Sequence, residues 1–164
     1  MKSYLFIILL VLSGGSVASP VENLNIIGQA KLKVLFWDIY ESYLYTDKQE
    51  YRPDVYPVAL RIRYLRDISK DDLLERTDKE WKDLGLSKEQ RQQGLALVEN
   101  VWPDISKGDE LLIKVDENQE STFYFNQKSI AHIKDKSFGP QFLDIWLSEN
   151  CSRPELRNQL IGKS

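Results

Sequence analysis

Two carboxylates and five aromatic rings share the stretch KLKVLFWDIYESYLY, from Lys31 to Tyr45. Asp38 and Glu41 have the chemistry of an acid/base pair, which must face one cavity within hydrogen-bonding reach of a substrate. An offset of three residues along a strand sends two side chains to opposite faces. The spacing therefore predicts one exposed carboxylate and one salt-bridge or cap partner, unless a bulge intervenes. Tyr40 and Tyr43 combine an apolar ring with a hydroxyl, which suits the wall of a ligand cavity. Downstream, Arg61, Arg63 and Arg66 form the main cationic cluster. Arg61 and Arg63 fall on one strand face, about 6.6 Å apart along the chain. Toward a cleft they would grip a carboxylate or phosphate, whereas toward water they would only solubilise the sheet.

His132 and Cys151 are the single histidine and cysteine. One imidazole without a cysteine pair does not make a zinc site, and His132 reads as a half-buried packing residue on the face of Ile130. Cys151 has no partner for an internal disulfide and no neighbouring base to activate it. Trp81, on a helical stripe, completes the ligand-binding candidates with Tyr40, Tyr43, Arg61 and Arg63. No residue set qualifies as catalytic, and no cofactor or metal is expected.

These residues must be positioned by a chain of 164 residues, 42% hydrophobic, with a net charge of −3. That is enough to bury one core. An acidic chain without a basic tract gains no counterion release from nucleic acid, which excludes that class of partner. MKSYLFIILLVLSGGSVAS has a charged start, an apolar run from Leu5 to Leu12 and small residues before a cleavage site placed after Ala18. It reads as a secretory signal over residues 1–18, too short for a membrane span. The expectation is one domain over 19–164 in the periplasm or outside the cell, with no membrane span after cleavage.

Alternation of Leu32, Val34 and Phe36 with Lys31, Lys33 and Leu35 predicts a strand, and the blurred pattern past Phe36 predicts a change of facing by a bulge or a second strand segment. A polar loop over 46–57 precedes a strand carrying Leu60, Ile62 and Tyr64. Ser69 caps a helix that Gly85 ends, and Ser87 with Gln90 boxes a second helix that runs to Pro103. A meander follows: strands around Leu111–Val115 and Phe123–Phe125, then one reaching Ile133. Ser137 opens a helix bearing Phe138, Phe142 and Trp146, and Ser152 with Glu155 caps a last one. Strands, helices, strands and helices in that order predict an α+β domain, an antiparallel sheet with helices on one face.

The segments IIGQAKLKVLFWDIYESYLY, LRIRYLRDISKDDLLER, WPDISKGDELLIKV and TFYFNQKSIAHIKDKSFGPQFLDIWL, in that order, resemble the exported bacterial proteins of the chalcone isomerase-like superfamily. The resemblance covers about Leu24 to Gly162 and implies an open-faced β-sandwich. It also implies a ligand cleft that, in the wider family, an arginine reaches from a G-x-G-x-R segment. In GQAKL the second glycine becomes Ala30 and the arginine position falls on Leu32, with Lys31 and Lys33 beside it. Leu35 matches the threonine of the true isomerases. The leading expectation is non-catalytic binding of a small apolar or amphipathic molecule such as a fatty acid. An isomerase or lyase acting on a conjugated carbonyl is the alternative, and an interaction module using exposed aromatics is the third.

Overall fold

The computed structural model describes residues 18–163. The leader read over residues 1–18 lies, but for Ala18, outside the described residues. Six strands form one antiparallel meander in chain order: β1 Asn25–Val34, β2 Trp37–Thr46, β3 Val58–Tyr64, β4 Glu110–Val115, β5 Ser121–Phe125 and β6 Lys128–Ile133. Two helices, α1 Lys70–Asp83 and α2 Lys88–Ala96, are inserted between β3 and β4. Another two, α3 Phe138–Leu147 and α4 Pro154–Leu160, follow the sheet. This is the curved antiparallel sheet under a helical layer that the sequence predicts.

Alternation decides which side of each strand is covered. Leu60, Ile62 and Tyr64 on β3, Leu111, Ile113 and Val115 on β4, and Phe123 on β5 all point to the helices and are buried. Phe123, Phe138, Phe142 and Trp102 form the aromatic centre of that core. Phe123 meets Phe142 edge-on at 5.4 Å between ring centres, within the favourable range for such pairs. On the far face a thinner apolar cluster of Tyr45, Ala59 and Leu112 is covered by Val21 and Leu24 from the segment before β1.

The local starts of α1 and α2 follow from capping. Ser69 Oγ accepts the Asp72 N–H at 3.1 Å, and Ser87 with Gln90 closes a reciprocal box, satisfying backbone donors that a helix start leaves open. Two termini differ from expectation. α2 stops at Ala96, and Val98, Val101 and Trp102 reach the core from a series of turns instead of from a continued helix. α4 takes Arg153, not Ser152, at its N-cap without a side-chain bond, because Pro154 already supplies a preset first helical residue.

Ile26 to Tyr45 is neither one strand nor an end-to-end pair but a hairpin. The chain reverses at Leu35 and Phe36, so Val34 pairs with Trp37, and Phe36, expected on the covered face, is 97% exposed at the turn. α4 lies directly on β1, and Gly28 makes that approach possible: a Cβ there would collide with the carbonyl oxygens of Gln159 and Leu160. Gly28→Ala is expected to lower the free energy of unfolding by about 2–3 kcal/mol, read by urea titration, because backbone atoms cannot rotate out of the way. An unchanged midpoint would show that α4 can lift off β1 at little cost.

Candidate functional site

Between the helical layer and the β1–β3 end of the sheet lies a cavity of about 560 Å³. Its inner walls are Leu32 on β1, Tyr40 on β2, Tyr64 on β3, Trp102, and Phe142 and Trp146 on α3. Trp146 Nε1 donates to the Tyr40 hydroxyl at 3.0 Å, tying α3 to the sheet at the cavity wall. Burial raises the Tyr40 pKa above the ordinary phenolic value, with the Trp146 hydrogen bond pulling the other way. Burial likewise raises that of Tyr64, so both hydroxyls are neutral donors at physiological pH. Tyr40 and Tyr64 meet edge-on with ring centres 6.2 Å apart.

The polar part of the lining comes from the segment after β3, from α1 and from the start of α4. Arg66, Arg76, Lys79 and Arg153 alternate there with Asp72, Glu75 and Glu80. These charges are not equivalent. Arg76 is paired with the buried Glu80, and Lys79 bridges Asp83 at 2.6 Å. Arg66 and Arg153 have no carboxylate partner among the described residues; the Arg66 guanidinium instead sits 5.5 Å from the centre of the Trp37 ring. An anionic group arriving at the cavity therefore finds two cations not already neutralised.

Of the five ligand candidates from the sequence, only Tyr40 lines this cavity. Tyr43, Arg61 and Arg63 point to the opposite face of the sheet. There the Tyr43 hydroxyl donates to Glu41 at 3.1 Å, and Arg61 lies over the Tyr45 ring and 3.9 Å from Glu110. Arg63 is exposed opposite Glu41. Trp81 is fully buried within the helical layer, donating from Nε1 to the Gln141 carbonyl at 2.9 Å. Its aromaticity is spent on packing.

A bulge corrects the reading of Asp38 and Glu41. The pairing steps from Leu32–Tyr40 to Lys33–Asp38, leaving Ile39 as the extra residue. Asp38 and Glu41 consequently share one face, both within salt-bridge distance of Lys31, at 3.5 and 3.1 Å. Lys31 is the largest influence holding the Glu41 pKa below its usual range. That face is the one turned away from the cavity, so the pair is a surface ion cluster. His132 is corrected in the same way. A register shift on β6 lets Ile130 pack into the core while His132 stands on the outer face, with Nε2 2.8 Å from Glu120 and Nδ1 3.1 Å from Thr122 Oγ1. The order hydroxyl, imidazole, carboxylate suggests a nucleophilic triad, yet none of the three lines the cavity described above or the small one beside Tyr51 and Tyr56. Cys151 is buried and unbonded. Among the described residues no three histidine, cysteine or carboxylate groups could hold a metal, and no helix is long and apolar enough to cross a membrane.

The family model described as chalcone isomerase-like matches residues 16–162. The chain belongs to the chalcone isomerase-like family. An uncharacterized protein of Haemophilus influenzae is 26% identical over 147 residues, 90% of this chain and 72% of that protein. A fatty-acid binding protein of Arabidopsis thaliana superposes with a TM-score of 0.64 at 14% identity, over 88% of this chain and 90% of that one. At that identity the likeness is one of fold. In this chalcone isomerase-like chain the register anticipated from GQAKL puts Leu32, at the family's arginine position, on the cavity wall. Leu35, at the threonine position, is 87% exposed on the hairpin turn and does not line the cavity. The cations on the cavity lining that are not already paired come from elsewhere, Arg66 just past β3 and Arg153 at the N-cap of α4. Arg66 stood out in the sequence as a cluster member, but lying past the strand it had no alternation to fix its direction. Arg153 carried no signal beyond its type.

Proposed function

We propose that this protein binds, without turning over, a small amphipathic anion with an apolar tail, of which a fatty acid is the type. The carrying observation is a cavity of about 560 Å³, walled by aromatic and aliphatic side chains, with Arg66 and Arg153 on its lining and without a carboxylate partner among the described residues. Burial of a tail supplies most of the affinity and a cation near the opening fixes the head. Likeness in fold to a fatty-acid binding protein supports the reading. Absence of turnover is supported by the inner groups: Glu80 is neutralised by Arg76, and the Tyr40 hydroxyl already accepts a hydrogen bond from Trp146. We place the protein in the exported bacterial branch of the family, as one domain over residues 19–164. The leader composition and the alignment with a bacterial relative support that placement.

Calorimetric titration with long-chain fatty acids and their methyl esters tests the reading. The acids are expected to bind more tightly than the esters. Arg66→Ala with Arg153→Ala should weaken the acid by about five- to tenfold and the ester hardly at all, the size expected of partly exposed ion pairs. Failure of acids of every tail length to bind would overturn it.

A further inference from the structure

The β1–β2 hairpin ends in a feature that neither the core nor the cavity accounts for. Leu35 and Phe36 form its two-residue turn and are 87% and 97% exposed, and Trp37 beside them is 63% exposed. Leu35 has φ 54° while Phe36 is not left-handed. In a two-residue hairpin turn with positive φ at the first position only, glycine is the ordinary occupant, and a leucine pays a conformational penalty there. Local stability would be served by Gly-Asn; the chain instead carries two large apolar residues that are costly to leave in water.

Their surroundings narrow what they meet. Val34 and Trp37, which flank the turn, also line the cavity, so the tip stands at its edge. Behind the tip lie Lys31, Lys33, Arg63 and Arg66 against the carboxylates Asp38 and Glu41 and, opposite Arg63, Glu110, a small local basic excess in a chain of net charge −3. Leu35, Phe36 and Trp37 expose a few hundred Å² at most, well short of the roughly 800 Å² per partner that a specific protein interface buries. A projecting apolar wedge flanked by an indole and by cations fits a lipid surface, where tryptophan settles at the headgroup level and basic residues meet anionic lipid.

We propose that the Leu35–Phe36 tip inserts into the headgroup boundary of an anionic membrane, with Trp37 at the interface and the edge of the cavity set against the lipid. Docking of this kind does not depend on what the cavity holds, so it can stand or fall apart from fatty-acid binding.

The test mixes the full chain with vesicles of phosphatidylglycerol in phosphatidylethanolamine, and separately with vesicles of phosphatidylcholine alone. Sedimentation is read together with quenching by brominated lipid, the Trp37 share being taken as the difference from Trp37→Phe. Partition into the anionic vesicles should exceed that into phosphatidylcholine about tenfold or more, with Trp37 quenched. Leu35→Gly with Phe36→Asn, which installs the ordinary turn residues, should keep or raise the melting temperature while weakening partition about tenfold or more. The proposal is overturned by a wild-type chain that stays in the supernatant, by a double variant that sediments like wild type, or by equal partition into both vesicle types. Sedimentation without Trp37 quenching overturns it as well, since another segment would then make the contact.

Discussion

Replacing Trp81 by alanine is expected to lower the free energy of unfolding by about 3–5 kcal/mol, the range for deleting a large buried aromatic, as read by chemical denaturation. The indole is completely buried on α1 and holds three elements at once. Its Nε1 donates across to the Gln141 carbonyl on α3, and its ring meets Phe138 edge-on at 6.0 Å. Its outer edge lies where a Cβ on Gly94 of α2 would have to stand. Trp81→Phe keeps much of the volume but strands that carbonyl, and should cost less than half as much. Ligand affinity measured on the folded Trp81→Phe variant should match wild type within about twofold, since Trp81 does not line the cavity. A selective loss of affinity with stability intact would return Trp81 to the binding site that its sequence position suggested.

Trp81 also marks the boundary of what the residues alone disclose. Periodicity puts it on a helical stripe correctly, but the inner stripe of α1 contacts both core and cavity, and no pattern along one helix separates the two. Elements governed by local rules were legible: the Ser69 cap, the Ser87–Gln90 box, and the alternation through β3, β4 and β5. The hairpin was not, because Leu35 and Phe36 carry none of the glycine, asparagine or proline by which turns announce themselves. Each register shift then flips every side chain beyond it. One extra residue at Ile39 moved Asp38 onto the face of Glu41, and one near Ile130 turned His132 to solvent. Arg61 and Arg63 failed as cavity candidates for a complementary reason. Their alternation with Leu60 and Ile62 already assigned them to the face opposite the core, and the core face is where the cavity lies. The cations that line it without a carboxylate partner among the described residues, Arg66 and Arg153, sit at the ends of elements, on β3's exit and α4's entry, and are brought together only by the packing of helices on the sheet.

The largest effect on binding is expected from filling the cavity, by Leu32→Trp together with Leu73→Trp. Leu32 lines it from β1 and Leu73 from α1, and both side chains are only half-buried, so two indoles have empty volume to enter. Overpacking of a full core costs about 1–3 kcal/mol. Here the added atoms meet space instead of neighbours, and the melting temperature should hold or rise. A bound tail has no such freedom. If the indoles displace three or four methylenes, each worth about 0.8 kcal/mol of buried surface, the loss is about 2.4–3.2 kcal/mol, about fifty- to two-hundredfold in Kd. Titration of the double variant with a long-chain acid and with a short one separates this from a general disturbance. The long acid should lose most, because the short one buries fewer of the methylenes that the indoles exclude. Arg66 and Arg153 remain in place, so whatever affinity survives should keep its preference for acid over ester. Equal losses for both tail lengths would point to a collapsed fold, and an unchanged Kd for the long acid would mean that the tail lies outside this cavity altogether.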